Sequence, residues 1–265
     1  MKIAILGGGS WGTALAVHLA EKDYQVNIWE FLENRVEEMQ KQRTCPVLKG
    51  LKLPENIYIS SKMEKILPGS DIILIAVPSS RVEGSLKEAA QFIKNQPVLI
   101  CSKGFTSDLR LLSDIAKENV KGEIYCFYGP THAEEICKGM FSGIVLAGQK
   151  DEKLKQIMES PNLRVELSED IIGVQVAAAL KNILAIFIGV LDGLELGDNA
   201  KAYVMTKGLE EIKQIGLKWG AQEETFYGLS GIGDLIVTCT SQHSRNRYVG
   251  EQVGRGRKLN EVVEE

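Results

Sequence analysis

The chain has 265 residues, 44% of them hydrophobic, which is enough for a real core and too apolar for a disordered chain. Its 31 Lys and Arg against 35 Asp and Glu leave a net charge of −4, so nothing in the balance argues for nucleic acid or an anionic membrane. The five cysteines and three histidines show neither C-x-x-C nor metal-ligand spacing, so no disulfide framework and no metal site is expected.

In chain order, the apolar run in "MKIAILGGG" is too short for a signal peptide, and a reduced, cytoplasmic chain is expected. "KIAIL" (2–6) reads as a strand, "TALAVHLAEK" (13–22) as a helix, "QVNIWE" (25–30) as a second strand, and "ENRVEEMQKQ" as a polar helix. "NIYIS" (56–60), "DIILIAV" (71–77), "PVLICS" (97–102), "EIYCFY" (123–128) and "GIVLAG" (143–148) continue the strands, with helical patterns such as "RVEGSLKEAAQFIK" between them. Wholly apolar strands alternating with helices indicate a parallel sheet covered on both faces.

The rhythm changes near Ser168, and helical segments follow at 171–191, 200–219 and 223–227, joined by the glycine-rich "DGLELGDN" and "GLSGIGDL". Two domains are therefore expected, residues 1–168 and an all-α domain over 169–265. Inside "VAAALKNILAIFIGVL" (176–191), Lys181 and Asn182 interrupt an apolar run. They leave pieces shorter than the ~20 residues a membrane span needs, so a buried helix is expected. The ending "KLNEVVEE" is a helical pattern without a stop signal, and the helical domain is expected to be truncated there.

"ILGGGSWGTALA" holds Gly7, Gly9 and Gly12 in G-x-G-x-x-G spacing, directly after a strand and opening a helix, the context that a dinucleotide fingerprint needs. Gly7 permits the tight turn, Gly9 lets a pyrophosphate approach the backbone, and Gly12 lets helix and strand pack closely. The helix N-terminus offers N–H groups and a favourable dipole to the phosphates. Glu30, at the end of the second strand, is placed to bond an adenosine ribose.

Further segments carry polar groups. "CSKGF" puts Lys103 at the C-terminal end of a strand, the ligand-binding edge of an open α/β sheet. "YGPTHAEEI" puts Thr131 three residues before Glu134, a capping-box pattern. "GLSGIGDLIVTC" offers Asp234 and Thr238 among apolar residues, and "SQHSRNRYVG" clusters Ser244, Arg245, Asn246 and Arg247, whose guanidinium forks match phosphate oxygens. Taken alone, S-R-N-R reads as an exposed polar loop.

Together, "GGGSWGTALA", "SKGF", "GPTHAEE", "ALKNILAI", "GIGDLIVTCT" and "SRNR", in this order over essentially the whole chain, resemble NAD(P)-dependent glycerol-3-phosphate dehydrogenase. The resemblance implies a Rossmann-like, doubly wound, mostly parallel sheet, a helical C-terminal domain, and the site between them. It implies NAD or NADP as cofactor and reversible reduction of dihydroxyacetone phosphate to glycerol 3-phosphate, feeding phospholipid synthesis. By motif position, Ser10 and Trp11 would line the cofactor with Gly7, Gly9 and Gly12, and Ala133 would meet it too. Lys103 (also at the cofactor), Gly129 and Thr131 would meet the substrate. Lys181 would be the acid/base, with Asn182, Asp234 and Thr238 around it, and Ser244, Arg245 and Asn246 would hold the phosphate end, Arg245 also reaching the cofactor. Phe31 is placed to pack on adenine, and Arg35 to reach a 2′-phosphate. The family continues past this chain's end through a "VVEG"-like segment. The partner implied is a small phosphorylated substrate, with a homodimer left open.

Reducing a ketone requires hydride at carbon and a proton at oxygen. Lys181 can supply the proton if its pKa is drawn toward neutrality by burial and by Lys103, with Asp234 acting against them. Ala177, Ala178 and Ala185 on the same helix face would leave room for substrate. Two alternatives stand beside this reading: another two-domain reductase, of the ketopantoate or 3-hydroxyacid type, and a non-catalytic dinucleotide sensor.

Overall fold

The apolar runs of the first 168 residues become one eight-stranded sheet in a computed structural model that describes residues 1–264. Glu265, the last residue of the final helical pattern, lies outside the described residues. By its internal contacts the chain falls into two compact units, residues 1–127 with 131–169, and residues 128–130 with 170–265.

The strands are β1 (Lys2–Leu6), β2 (Gln25–Trp29), β3 (Thr44–Cys45), β4 (Leu48–Lys52), β5 (Ile57–Ser60), β6 (Ile72–Ile75), β7 (Val98–Ile100), β8 (Ile124–Tyr128), β9 (Ser142–Ala147) and β10 (Leu163–Ser168), all in the first unit but for Tyr128, the last residue of β8. The helices among them are α1 (Ser10–Ala20), α2 (Glu33–Gln42), α3 (Met63–Ile66), α4 (Ser79–Ala89), α5 (Leu112–Asn119), α6 (Ala133–Ile136) and α7 (Glu152–Met158). The sheet order is β10-β9-β8-β7-β6-β1-β2-β5, and β3 and β4 form a separate hairpin. Pairings β1–β2, β1–β6, β2–β5, β6–β7, β7–β8 and β9–β10 are parallel. Ile3, Ala4, Ile5 and Leu6 are all fully buried, so β1 is covered on both faces, each large side chain contributing about 1.5–3 kcal/mol.

Successive connections lead from β1 through β2 to β5 on one side and from β6 through β7 to β8 on the other. The reversal falls between β1 and β6, which makes their C-terminal edge the crevice of an open α/β sheet. Two pieces of this unit were not expected. One is the β3–β4 hairpin. The other is edge strand β10, whose "LRVELS" alternates buried and exposed side chains at first instead of running apolar throughout.

The second unit contains α8 (Ile171–Gly193), α9 (Gly197–Lys218), a 3-10 turn (Glu223–Tyr227), a π-helical turn (Leu229–Gly233), α10 (Asp234–Thr240), α11 (Arg245–Gly254) and α12 (Leu259–Val263). Asp170 caps α8, its Oδ1 accepting from Gly173 N at 2.8 Å, while its Oδ2 accepts from Gln222 N at 2.8 Å and Thr225 Oγ1 at 2.6 Å. By length and composition α8 could cross a membrane, but α9, α10 and α11 pack along it and bury much of its apolar surface, while Ile183, Ile186 and Phe187 stay exposed.

His18 of α1 is buried, with Nε2 at 2.7 Å from the Met158 carbonyl, to which the neutral ring donates. Burial pushes its pKa below the ordinary 6.5; the Met158 carbonyl opposes this and Lys22 adds to it. The unfolded chain therefore takes up this proton more readily, and stability should fall as pH drops below about 6.5, levelling out below the folded-state value. Melting temperatures followed from about pH 7 to pH 5 should decline more steeply for the wild type than for His18→Gln. Equal slopes would show that His18 does not contribute to the acid sensitivity.

Candidate active site

The loop after β1 is shaped by close backbone approach. Gly7 has φ +120°, and a Cβ there would lie 2.6 Å from the Ala76 carbonyl oxygen, just beyond β6. A Cβ on Gly12 would lie 2.0 Å from Gly7 O, so only glycine lets α1 start this close to the loop. Gly9 is different: nothing lies within 4 Å of its would-be Cβ. It holds the N-cap place of α1 and has no side chain to bond the free N–H groups of the first turn. The helix begins at Ser10, three residues earlier than its apolar pattern suggests, so Ser10 and Trp11 lie in that first turn.

Two side chains complete this corner. Trp11 Nε1 is buried without a hydrogen-bond acceptor among the described residues. Glu30 follows β2 and is 6% exposed; its Oε1 accepts from Leu32 N at 3.0 Å, and a Cβ on Gly8 would lie 2.6 Å from its Oε2. Glu30 is thus tucked against the glycine loop and is not a solvated strand end. Phe31 is exposed and meets the Trp29 ring edge-on at 6.2 Å between centroids. An open glycine face, an uncapped helix start, an orphaned indole N–H and a carboxylate beside them fit a dinucleotide, with the backbone at its phosphates and Glu30 at a ribose.

Lys103 follows β7 and is half-buried; Gly104 turns at φ +131° against Ser79, the first residue of α4. Thr131 does not form the expected capping box. The single-turn helix α6 opens at Ala133 with His132 in the cap place and no side-chain cap bond, so Thr131 stands one residue outside the capping position. Ala133 is buried. Gly129 belongs to the second unit, where neighbouring Pro130 comes within 3.8 Å of the would-be Cβ of Gly233, at the end of the π-helical turn.

In the second unit Lys181 has a partner for its charge. It is 5% exposed, and its Nζ donates to Asp234 Oδ1 at 2.5 Å and to Thr238 Oγ1 at 2.6 Å. Asp234 and Thr238 are one turn apart on α10, and the Thr238 hydroxyl donates to the Asp234 carbonyl at 2.6 Å. Ala185, one turn beyond Lys181, is buried in a cluster with Leu235 and Cys239, so the space beside it is filled by α10 and is not left for a ligand. Cys239 is buried in the same cluster, and burial pushes its thiol up to about 11 although Lys181 and Arg247 lower it.

Asn182 Oδ1 accepts from Asn246 Nδ2 at 2.9 Å, which joins the "KN" of α8 to the "SRNR" segment. Ser244 is buried as the N-cap of α11, its Oγ accepting from Arg247 N at 3.3 Å. The two arginines of the segment differ. Arg245 is exposed and makes no ion pair among the described residues, whereas Arg247 pairs with Asp192 at 2.6 Å. Asp192 was not singled out from the sequence; a carboxylate ending an apolar helix before "GLELGD" was the available signal.

Models of the NAD-dependent glycerol-3-phosphate dehydrogenase N-terminus and C-terminus match residues 2–154 and 170–265. Curated relatives named glycerol-3-phosphate dehydrogenase (NAD(P)+), from Fusobacterium nucleatum and a Thermoanaerobacter species, are 38% and 39% identical over 274 and 272 residues, spanning all of this chain and 82% of each relative. The crystal structure of a glycerol-3-phosphate dehydrogenase from Coxiella burnetii matches with a TM-score of 0.97 at 34% identity, covering 99% of this chain and 83% of that one.

Proposed function

The chain belongs to the NAD-dependent glycerol-3-phosphate dehydrogenase family, and on that premise we propose that the buried Lys181–Asp234–Thr238 cluster carries the proton of its reaction. As a member of that family it is an NAD(P)-dependent oxidoreductase that interconverts dihydroxyacetone phosphate and glycerol 3-phosphate, a precursor of phospholipids. Location in the cytoplasm goes with the same reading, supported by the family likeness.

The nicotinamide, when bound, gives or takes the hydride at C2 of the substrate. The proton at the C2 oxygen needs a separate source, and Lys181 supplies it: its Nζ–H protonates the oxygen during reduction, and the resulting amine takes the hydroxyl proton during oxidation. Asp234 and Thr238 hold Nζ in one place and stabilise the ammonium that remains before transfer. The observation that carries this assignment is a charged pair built into an otherwise apolar helix, a costly arrangement that a core would do without. In the first unit, Gly7, Gly9, Ser10, Trp11 and Gly12 hold the cofactor phosphates and Glu30 a ribose, with Phe31 and Ala133 as further cofactor contacts. Lys103, Gly129 and Thr131 are read as substrate contacts from their motif positions, Lys103 also touching cofactor. Arg245, exposed and without an ion pair among the described residues, stands beside the Asn182–Asn246 bond, takes the phosphate with Ser244, and reaches the cofactor as well.

Lys181→Met leaves Asp234 buried without its counter-charge, at a cost of about 3–5 kcal/mol in stability. The informative variant is therefore Lys181→Met with Asp234→Leu, which removes both charges. It should fold and bind NADH while kcat for dihydroxyacetone phosphate, followed by loss of NADH absorbance, falls by at least about 10²–10⁴-fold. A folded, NADH-binding double variant with near wild-type kcat would remove Lys181 from the mechanism. Arg245→Ala should cost about 1.5–3 kcal/mol of substrate binding, seen mainly as a higher KM for dihydroxyacetone phosphate. A change confined to cofactor affinity would show that Arg245 serves the cofactor and not the substrate phosphate. Glu30, pressed against the glycine loop, should repel a 2′-phosphate, so NADH should serve at least as well as NADPH and Glu30→Ala should improve NADPH selectively. A strong wild-type preference for NADPH that Glu30→Ala leaves unchanged would end that assignment.

A further inference from the structure

We propose that Arg247 is a positioning residue for substrate phosphate: through its ion pair with Asp192 it sets where α11 lies along α8, and so where Arg245 and Asn246 stand. The proposal rests on the reading of Arg245 as the phosphate ligand.

The need for such a device follows from how α8 and α11 meet. Their contact is made backbone to backbone through glycines. A Cβ on Gly189 would lie 2.0 Å from Arg247 O, one on Gly250 would lie 1.9 Å from Ile186 O, and one on Gly193 would lie 2.3 Å from Glu251 O. A Cβ on Gly254 would lie 2.5 Å from Val190 O. Two smooth, side-chain-free surfaces bring the helices close, but they lack the knobs and holes that ordinarily set the offset between packed helices. Polar side chains beside the contact have to do that instead.

Two adjacent residues in the first turn of α11 reach α8 in opposite directions. Asn246 bonds Asn182, and Arg247 pairs with Asp192, ten residues further on, about 15 Å along the helix axis. Sliding α11 either way lengthens one of the two contacts. Asp192 is itself held from a third helix, by Lys201 of α9 at 2.7 Å, and Arg247 is braced on its own helix by Glu251 at 3.5 Å. Arg247 is therefore engaged in the frame, while Arg245, two residues earlier, has no ion pair among the described residues. Because Lys201 also neutralises Asp192, removing Arg247 does not leave a bare buried carboxylate, and the variants needed to test the idea should fold.

The test compares Arg247→Met, Asp192→Asn, the two together, and Arg245→Ala, each assayed with dihydroxyacetone phosphate and with phosphate-free dihydroxyacetone, alongside NADH binding. Each single change in the Arg247–Asp192 pair should raise KM for dihydroxyacetone phosphate about tenfold, and the double variant should be no worse than either, as expected for two residues acting through one contact. Turnover of dihydroxyacetone should stay near wild type and NADH affinity should change no more than it does in Arg245→Ala, which general damage to the fold would not allow. An unchanged KM in Arg247→Met, beside a raised KM in Arg245→Ala, overturns the positioning role alone. A raised KM in Arg247→Met with Asp192→Asn unaffected makes Arg247 a direct ligand and overturns it as well. An unchanged KM in Arg245→Ala defeats the underlying reading of the phosphate site and the proposal with it. If Arg247→Met fails to fold, Arg247→Lys, which keeps the charge but loses the fork, replaces it with the same expectations at smaller size.

Discussion

A charged amine inside an apolar helix is tolerable only if another element delivers its counter-charge, and the second unit is arranged around that demand. Taking a carboxylate and an ammonium out of water costs several kcal/mol for each ion, which only short contacts of good geometry offset. Asp234 at 2.5 Å and Thr238 at 2.6 Å provide them, and both come from one face of α10. That fixes how closely α10 must approach α8, and Ala185, which packs with Leu235 and Cys239, is small enough to permit it. The π-helical turn from Leu229 to Gly233 delivers the chain into α10 at that place, and Gly231 within it lies where a Cβ would strike the Phe226 carbonyl. The small Ala185 thus goes with the close approach that the buried pair requires, while Gly231 answers to the Phe226 backbone.

Close backbone approach is the second constraint, and the two units use it differently. In the first, Gly7 and Gly12 bring loop and helix together so that Gly9 is left with open space on its exposed side. In the second, the glycines of α8 and α11 bring two helices into contact along their lengths, and polar side chains settle the offset. The first arrangement exposes backbone to a ligand; the second removes backbone from solvent. In both cases the glycine is required by what stands opposite it.

Much of this was legible in the sequence because the period of the apolar residues survives folding. "KIAIL" is β1 residue for residue, and the helix through Lys181 runs on past its expected end by two positions. β10 escaped because an edge strand with one wetted face does not read as a wholly apolar run, and the short β3–β4 hairpin lacks any run at all. Thr131 and Glu134 have the spacing of a capping box without forming one, since spacing cannot say at which residue a one-turn helix begins. The Lys181–Asp234 pair spans 53 positions and the Arg247–Asp192 pair 55, and periodicity carries no information about such separations. There the resemblance to a family placed Lys181 and Asp234 together, while Asp192, which no motif emphasised, stayed unseen.

The distribution of positive charge in the second unit has its own logic. A chain of net charge −4 cannot attract a phosphate by its overall field, so the proposed recognition calls for locally placed cations. Lys181 is matched by Asp234, Lys201 by Asp192 and Asp198, and Arg247 by Asp192 and Glu251. Arg245 sits at the start of the same helix as Arg247 and has no such partner among the described residues. The two arginines of S-R-N-R are alike in the sequence and opposite in their surroundings. On the proposed reading of Arg245 as the phosphate ligand, neutralising Arg247 within the frame keeps it from competing, and Arg245, without an ion pair among the described residues, is left to hold that end in register.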